Sequence, residues 1–444
     1  MITWIDILVR IDHELLQLRE EGVDVSGLME GWREVKTLPE PVKAAELFYT
    51  EIESAFPPGR DYQEEPSSWE RASELCSMET EDIPKDSRSF LENKILGGWL
   101  GRAAGCLLGK PVENIPRKAI KEMLVSNKTW PIREYITEQG IPESMLKQYP
   151  WNRHSGRESL RENIVCMTED DDMNYPMLNL HVLETCGVKF HSEDVGQSWL
   201  AMLPVLSTFT AERVAYVNLL AGIRPPLTAQ VRNPYREWIG AQIRADLWGW
   251  VSPAQPVRAA EFAWRDASVS HVRNGIYGEA FFAAAVAASF DNDDMRTIVQ
   301  KALRCIPPKS RFAKAARSVL AMPVEKMEWE ETVDHLYELF GSYHRVHTIN
   351  NAALVIAALL SGGKDFERTI CNAVMAGWDT DINGATAGSI IGTILGADKL
   401  PAKWIEPLHD RIRSSLKGFD NARFSDLARR TVCLAQFHSR DVQH

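Results

Sequence analysis

No stretch of this chain reaches the roughly 18 uninterrupted apolar residues that a membrane-spanning helix requires. The N-terminal run MITWIDILVRIDHELLQLREEG carries Asp6, Arg10 and Asp12 among its apolar residues, which breaks the pattern of a secretory signal. Basic residues are in deficit: 50 Lys and Arg against 61 Asp and Glu leave a formal net charge of -11 and a pI near 5.6. A general grip on nucleic acid or an anionic membrane needs a basic face, so neither is expected as a partner. Cysteine is scarce, and its seven copies are odd in number and irregular in spacing. They make neither a disulfide framework nor a zinc knuckle, which points to a reducing compartment. Neither a G-x-G-x-x-G run nor a P-loop is present to cradle a nucleotide. The expectation is a soluble, cytoplasmic protein whose oligomeric state the sequence leaves open.

The alternation that marks strands is also scarce. Segments such as AFFAAAVAASF and NNAALVIAALL are alanine- and leucine-rich, long enough for helices, and separated by proline- and asparagine-bearing loops. The fold class expected is all-α. Residues 1 to about 56 read as two amphipathic helices, one carrying Leu8, Ile11, Leu15 and Leu18 and the other running from Val42 to Ile52. PPGRDYQEEP, Pro57 to Pro66, reads as a linker. Residues 1–85 are then an appendage or a cap, and residues 86–444 the main domain.

Two helices carry glycine at every fourth position: Gly97, Gly101, Gly105 and Gly109 in one, and Gly384, Gly388, Gly392 and Gly396 in the other. Each interior glycine costs about 1 kcal/mol relative to alanine. Such a stripe implies the close approach of another backbone, and the simplest partner for one stripe is the other. The start of the second helix, with its aspartates, would then be fixed in the core.

That start, GWDTDINGATAG, begins as a calcium loop does. Asp379, Asp381, Asn383 and Gly384 fill the first, third, fifth and sixth positions of an EF-hand, but Ile390 stands where the bidentate glutamate belongs. A second acidic cluster, Thr168, Glu169, Asp170, Asp171 and Asp172, precedes the segment MNYPMLNLHVLE. Consecutive carboxylates repel unless cations neutralise them, and they favour a helix N-terminus. Taken alone, the run reads equally well as a solvated cap. Two clusters of hard oxygen ligands on neighbouring helix ends suit Mg²⁺ or Mn²⁺ better than zinc.

In order along the chain, GRAAGCLLGKPVE, TEDDDM, SHVRNGIYGEAFFAAA and GWDTDINGATAGSIIGTILGA resemble the ADP-ribosylglycohydrolase family, from about residue 90 to residue 400. The enzyme that removes ADP-ribose from dinitrogenase reductase is a member. The resemblance implies an orthogonal all-α bundle around two Mg²⁺ or Mn²⁺ ions and hydrolysis of a bond to the anomeric carbon of ribose. It implies Thr168, Glu169, Asp170, Asp379 and Asp381 as metal ligands, with Asp170 and Asp381 taking part in the chemistry. Glu113 falls where a glutamate stands beside the scissile bond, and His271 where a histidine lines the ribose site. Asn350 and Asn351, with His347, are expected along the same cavity, their alternative role being helix capping. Trp151, Arg157 and the segment Asn233 to Trp238 either shape a leaving-group pocket or pack the core.

This chain departs from the family pattern at two ligands. Glu169 stands in place of an aspartate, and Ile382 in place of a metal-binding threonine or serine, leaving Asn383 or Asp171 to supply the missing ligand. These departures, with a long insert from Trp130 to Arg161, keep a small free ribosyl compound or nucleoside open as an alternative substrate to an ADP-ribosyl group. A non-catalytic ADP-ribose-binding or structural descendant of the fold is a reading from another class. An isoprenoid synthase is disfavoured because Asp170-Asp171-Asp172-Met173-Asn174 fits its D-D-x-x-D motif poorly.

Overall fold

The computed structural model describes residues 3–60, 62–78 and 87–441. Among them are twenty-one α-helices and no strand, only isolated bridges. One such bridge, Met167 with Ile412, ties down the segment leading into the first acidic cluster. The all-α expectation holds.

The helices Arg88–Gly109 and Thr380–Leu395 form the centre of the bundle, and both are buried through most of their length. They run antiparallel in backbone contact. A carbon added at Gly101 would lie 3.0 Å from the carbonyl carbon of Gly388 and 3.2 Å from Gly392 Cα. Gly105 meets Gly384, and Gly97 meets Gly392, in the same way. Side chains at these positions would hold the axes apart, so glycine is what lets the two backbones touch. At the end of the seam the Thr380 hydroxyl donates to the Gly109 carbonyl at 2.8 Å. The C-terminal end of the first helix and the N-terminal end of the second therefore meet.

Residues 3–60 carry three helices where the sequence suggested two: Ile7–Glu20, Ser26–Lys36 and Pro41–Ala55. The middle one escaped notice because it holds two glycines and buries only Trp32. The three share a small core of Ile7, Ile11, Leu15, Leu18, Val25, Trp32, Ala45, Tyr49 and Ile52. Against the main bundle the contact is partly aromatic, with Trp4, Ile5 and His13 on Tyr235 and Trp238, and partly ionic. Arg236 reaches Glu14 at 2.8 Å and Glu21 at 2.9 Å, and Arg311 bonds both Glu65 and Glu237 at 2.8 Å. Burial disfavours the Glu237 carboxylate, but Arg311 and Arg273 outweigh it and hold its pKa well below the usual range. Charges buried this way fix a docking register more than they add stability. The expected boundary near residue 85 lies outside the described residues.

Candidate active site

The meeting of the two glycine helices builds the site. Lys110 directly follows Gly109, and Asp381 lies in the first turn of the second helix. The helix Asp171–Cys186 adds a third terminus, capped by Asp170, whose Oδ1 accepts from the Asp172 amide at 2.9 Å. Three chain segments far apart in sequence thus deliver their acidic residues to one place.

At the junction the Lys110 ammonium lies 2.6 Å from Asp170 Oδ2, 2.9 Å from Asp381 Oδ2 and 3.0 Å from Glu113 Oε2. Lys110 is only 5% exposed. Burial alone would lower its pKa, but Asp170, Asp381 and Glu113 together hold it well above the ordinary value. The same contact works in reverse on Asp381, where burial raises the pKa and Lys110 brings it below the usual value. Glu113 is pushed up to about 7, first by burial and then by the charge of Asp381. It also accepts from the side-chain amides of Asn152 and Asn114.

Asp171, Asp172 and Asp379 are all raised well above the carboxylate range, in each case first by burial and then by neighbouring aspartates. One lysine cannot neutralise this many carboxylates in a buried place. Oxygens of Glu113, Asp379 and Asp381 lie within 4.8 Å of one another, as do ligand atoms of Cys106, Asp170 and Asp172. An oxygen-rich set with excess buried negative charge fits a hard divalent cation. The thiol of Cys106 makes the inner group a poorer host, and it lies 3.7 Å from Asp172 Oδ2.

The carboxylates open onto a cavity of about 300 Å³ lined by Lys110, Glu113, Asp171, Asp172, Asp379 and Asp381 on its acidic side. Phe209, Trp238, Ile239 and Val346 supply an aromatic and apolar part of its wall, beside the polar side chains of Arg345, Glu212 and His154. Thr3 and Trp4, from the N-terminal extension, complete that wall. Trp4 packs edge-on against Tyr235 at 5.8 Å, and the Arg213 guanidinium holds Thr3 by its hydroxyl at 2.6 Å.

The structure distributes the remaining sequence candidates around this centre. Thr168 is buried against Ser159, its hydroxyl 3.3 Å from the serine oxygen. Glu169 is half-buried and accepts from the Asn174 amide at 2.9 Å. Neither lines the cavity. Asn351 sits behind Asp379: its Oδ1 accepts from the Asp379 backbone amide at 3.2 Å and from Asn383 Nδ2 at 2.8 Å. Asn351 and Asn383 therefore orient the aspartate loop. Asn350 donates to the His344 carbonyl at 3.2 Å, and His347 caps its helix. Of the two substitutes for the ligand absent at Ile382, Asp171 lines the cavity, whereas Asn383 is fully buried behind it.

His271 lies elsewhere. It lines a separate cavity of about 420 Å³ with His191, Trp264 and Arg265, and its Nδ1 contacts Ser270 Oγ at 2.8 Å. Burial, then the charge of Arg244, lowers its pKa well below the ordinary histidine value. Of the expected leaving-group residues, Trp238 reaches the acidic cavity. Trp151 instead donates to Glu138 at 3.1 Å, and Arg157 is exposed. Asp172 belongs to the acidic cluster already read from sequence, whereas Lys110, Asn152, His154, Arg345, Phe209, Thr3 and Trp4 belong to the site with no signal of their own. Among these, Lys110 alone lay inside one of the four family-like motifs.

The family model for ADP-ribosylglycohydrolase matches residues 87–439. An uncharacterized protein of Archaeoglobus fulgidus is 24% identical over 332 residues, covering 72% of this chain and 93% of its own. A solved structure described as an ADP-ribosylglycohydrolase-related protein complex superposes with a TM-score of 0.50 at 17% identity, covering 78% of this chain and 99% of its own. With the central helix pair, both acidic termini and most of its length inside the match, this chain belongs to the ADP-ribosylglycohydrolase family.

Proposed function

We propose that this protein is a Mg²⁺- or Mn²⁺-dependent hydrolase that cleaves a bond at the anomeric carbon of ribose, with an ADP-ribosyl group as substrate. Membership of the family indicates a hydrolase of glycosidic bonds. The observation that carries the proposal is the convergence of Glu113, Asp379 and Asp381, with Asp170 behind them, on one buried cavity. Those residues would hold the cation, with Thr168, Glu169 and Asp171 as further candidate ligands.

Ribosyl transfer to water passes through an oxocarbenium-like transition state. When bound, a divalent cation supplies Lewis acidity and lowers the pKa of a neighbouring water. The chain's own contribution begins with a wall of carboxyl groups from Asp171, Asp172, Asp379 and Asp381, which would ionise toward the anomeric carbon once a cation offsets their mutual repulsion. Glu113, with its pKa brought to about 7, holds a proton loosely enough to take or return it at neutral pH. Asn152 and Lys110 fix its carboxyl orientation. Phe209, Trp238 and Trp4 exclude water from the leaving-group side.

One observation favours a smaller substrate. The cavity volume is at the lower end of the roughly 300–1,000 Å³ usual for ligand sites, and part of its wall is aromatic. That wall suits the stacked base of a nucleoside or another compact ribosyl compound. Turnover of ADP-ribosyl-arginine, ADP-ribosyl-serine, O-acetyl-ADP-ribose and common nucleosides, each with and without EDTA, separates the two readings. Activity should vanish with chelator and return with Mn²⁺. Full turnover by metal-stripped protein would sink the cation-dependent reading.

A further inference from the structure

We propose that the Lys110 ammonium occupies the place of one of the two cations the family resemblance implies, leaving a single divalent ion to bind among Glu113, Asp379 and Asp381. The inference rests on the metal-holding reading of this site.

A cation held by both acidic motifs would sit at a point between Asp170 and Asp381. The Lys110 nitrogen already stands at that point, between Asp170 Oδ2 at 2.6 Å and Asp381 Oδ2 at 2.9 Å. Its third contact is Glu113 Oε2 at 3.0 Å, so the ammonium donates to Glu113 and Asp381 and pairs ionically with Asp170. Its charge is shared among carboxylates brought in by three segments of the chain. Lys110 is therefore a positioning residue that draws three carboxylates together.

The lysine is also held in place. It follows Gly109, whose backbone is pressed against Thr380, it precedes Pro111, and both Pro111 and Val112 are buried. A side chain 7% exposed, on a backbone locked by the glycine seam, has little room to swing aside for an ion. What stays available on the cavity side is the group Glu113, Asp379 and Asp381, enough for one ion completed by water or substrate. The inner group of Cys106, Asp170 and Asp172 is the poorer host for a hard cation because its third ligand atom is a thiol.

The test is metal stoichiometry of the full-length protein, by calorimetric Mn²⁺ titration and by electron paramagnetic resonance. Wild type should bind one Mn²⁺ and give the six-line spectrum of an isolated ion. Lys110→Met, which keeps the length and removes the charge, should bind two and show the altered spectrum of a coupled pair. Lys110→Arg, which keeps the charge, should return to one. Two ions in wild type would overturn the inference while leaving the metal-dependent reading intact, and that measurement needs no variant to fold. One ion in a folded Lys110→Met would overturn it too, since the lysine would not be what excludes the second. No Mn²⁺ bound by wild type or by Lys110→Met would remove the metal reading itself, and this inference with it.

Discussion

Replacing Gly101 by alanine tests the seam on which the site is built. In an exposed helix this change stabilises by about 1 kcal/mol. Here the new carbon would lie 3.0 Å from the Gly388 carbonyl carbon and 3.2 Å from Gly392 Cα, with the Gly388 oxygen closer still. Carbon atoms rest comfortably about 3.5–4.0 Å apart, so the helices must separate by about half an ångström or more. A gap of that size forfeits roughly a quarter to a half of the dispersion energy between facing atoms. Overpacking a core usually costs about 1–3 kcal/mol, and backbone on both sides leaves no rotamer to yield. Allowing for the helix-propensity gain, the expected net loss is about 2 kcal/mol. The assay is the urea midpoint of Gly101→Ala beside Gly27→Ala, whose added carbon meets nothing within 4 Å. The control should hold or gain stability while Gly101→Ala loses it, and Gly101→Leu should fail to fold. The seam also ends at Lys110 and Asp381, so a folded Gly101→Ala should bind Mn²⁺ more weakly. A stabilised Gly101→Ala would refute tight backbone packing between the two helices.

Three further outcomes follow from the site. Glu113→Gln should keep the fold, weaken Mn²⁺ binding without abolishing it and slow turnover by about 10² to 10⁴, while Asp381→Ala should lose both metal and activity in parallel titration and single-turnover measurements. Equal metal loss in the two variants would make Glu113 a ligand first and a proton carrier second. Trp4→Ala should raise KM for substrates with an aromatic leaving group about three- to tenfold, in keeping with the ~0.5–1.5 kcal/mol of an aromatic contact; an unchanged KM would place Trp4 outside the binding wall. His344, stacked on Trp238 at 4.1 Å, is lowered from 6.5 to about 3, first by burial and then by the charge of Arg345. The unfolded chain takes up this proton below about pH 6.5 and the folded protein refuses it, so stability should fall by roughly 1.4 kcal/mol per pH unit as the pH drops from there. The buried aspartates shift the opposite way and oppose this loss, so the measurement is the difference between wild type and His344→Phe. Parallel pH profiles for the two proteins would contradict the assignment.

The sequence by itself determined the helical class, because a period near four needs no tertiary information. It also determined that two helices must touch, because glycine repeated at that period is unfavourable unless a second backbone comes close. The aspartate motifs were legible for the same reason, since runs of carboxylate at helix starts demand compensation. Tertiary structure alone decided what compensates them. Lys110 stands in a motif that reads as an ordinary turn, and only the antiparallel seam carries it to Asp381, 271 positions away along the chain. It likewise took the fold to place His271 on a different cavity, to turn Asn351 and Asn383 into supports for Asp379, and to bring Trp4 from the extension to the substrate wall. Such contacts join residues with no local pattern in common. A periodicity announces which face of a helix is buried, but the neighbour across that face is chosen by how the whole chain packs.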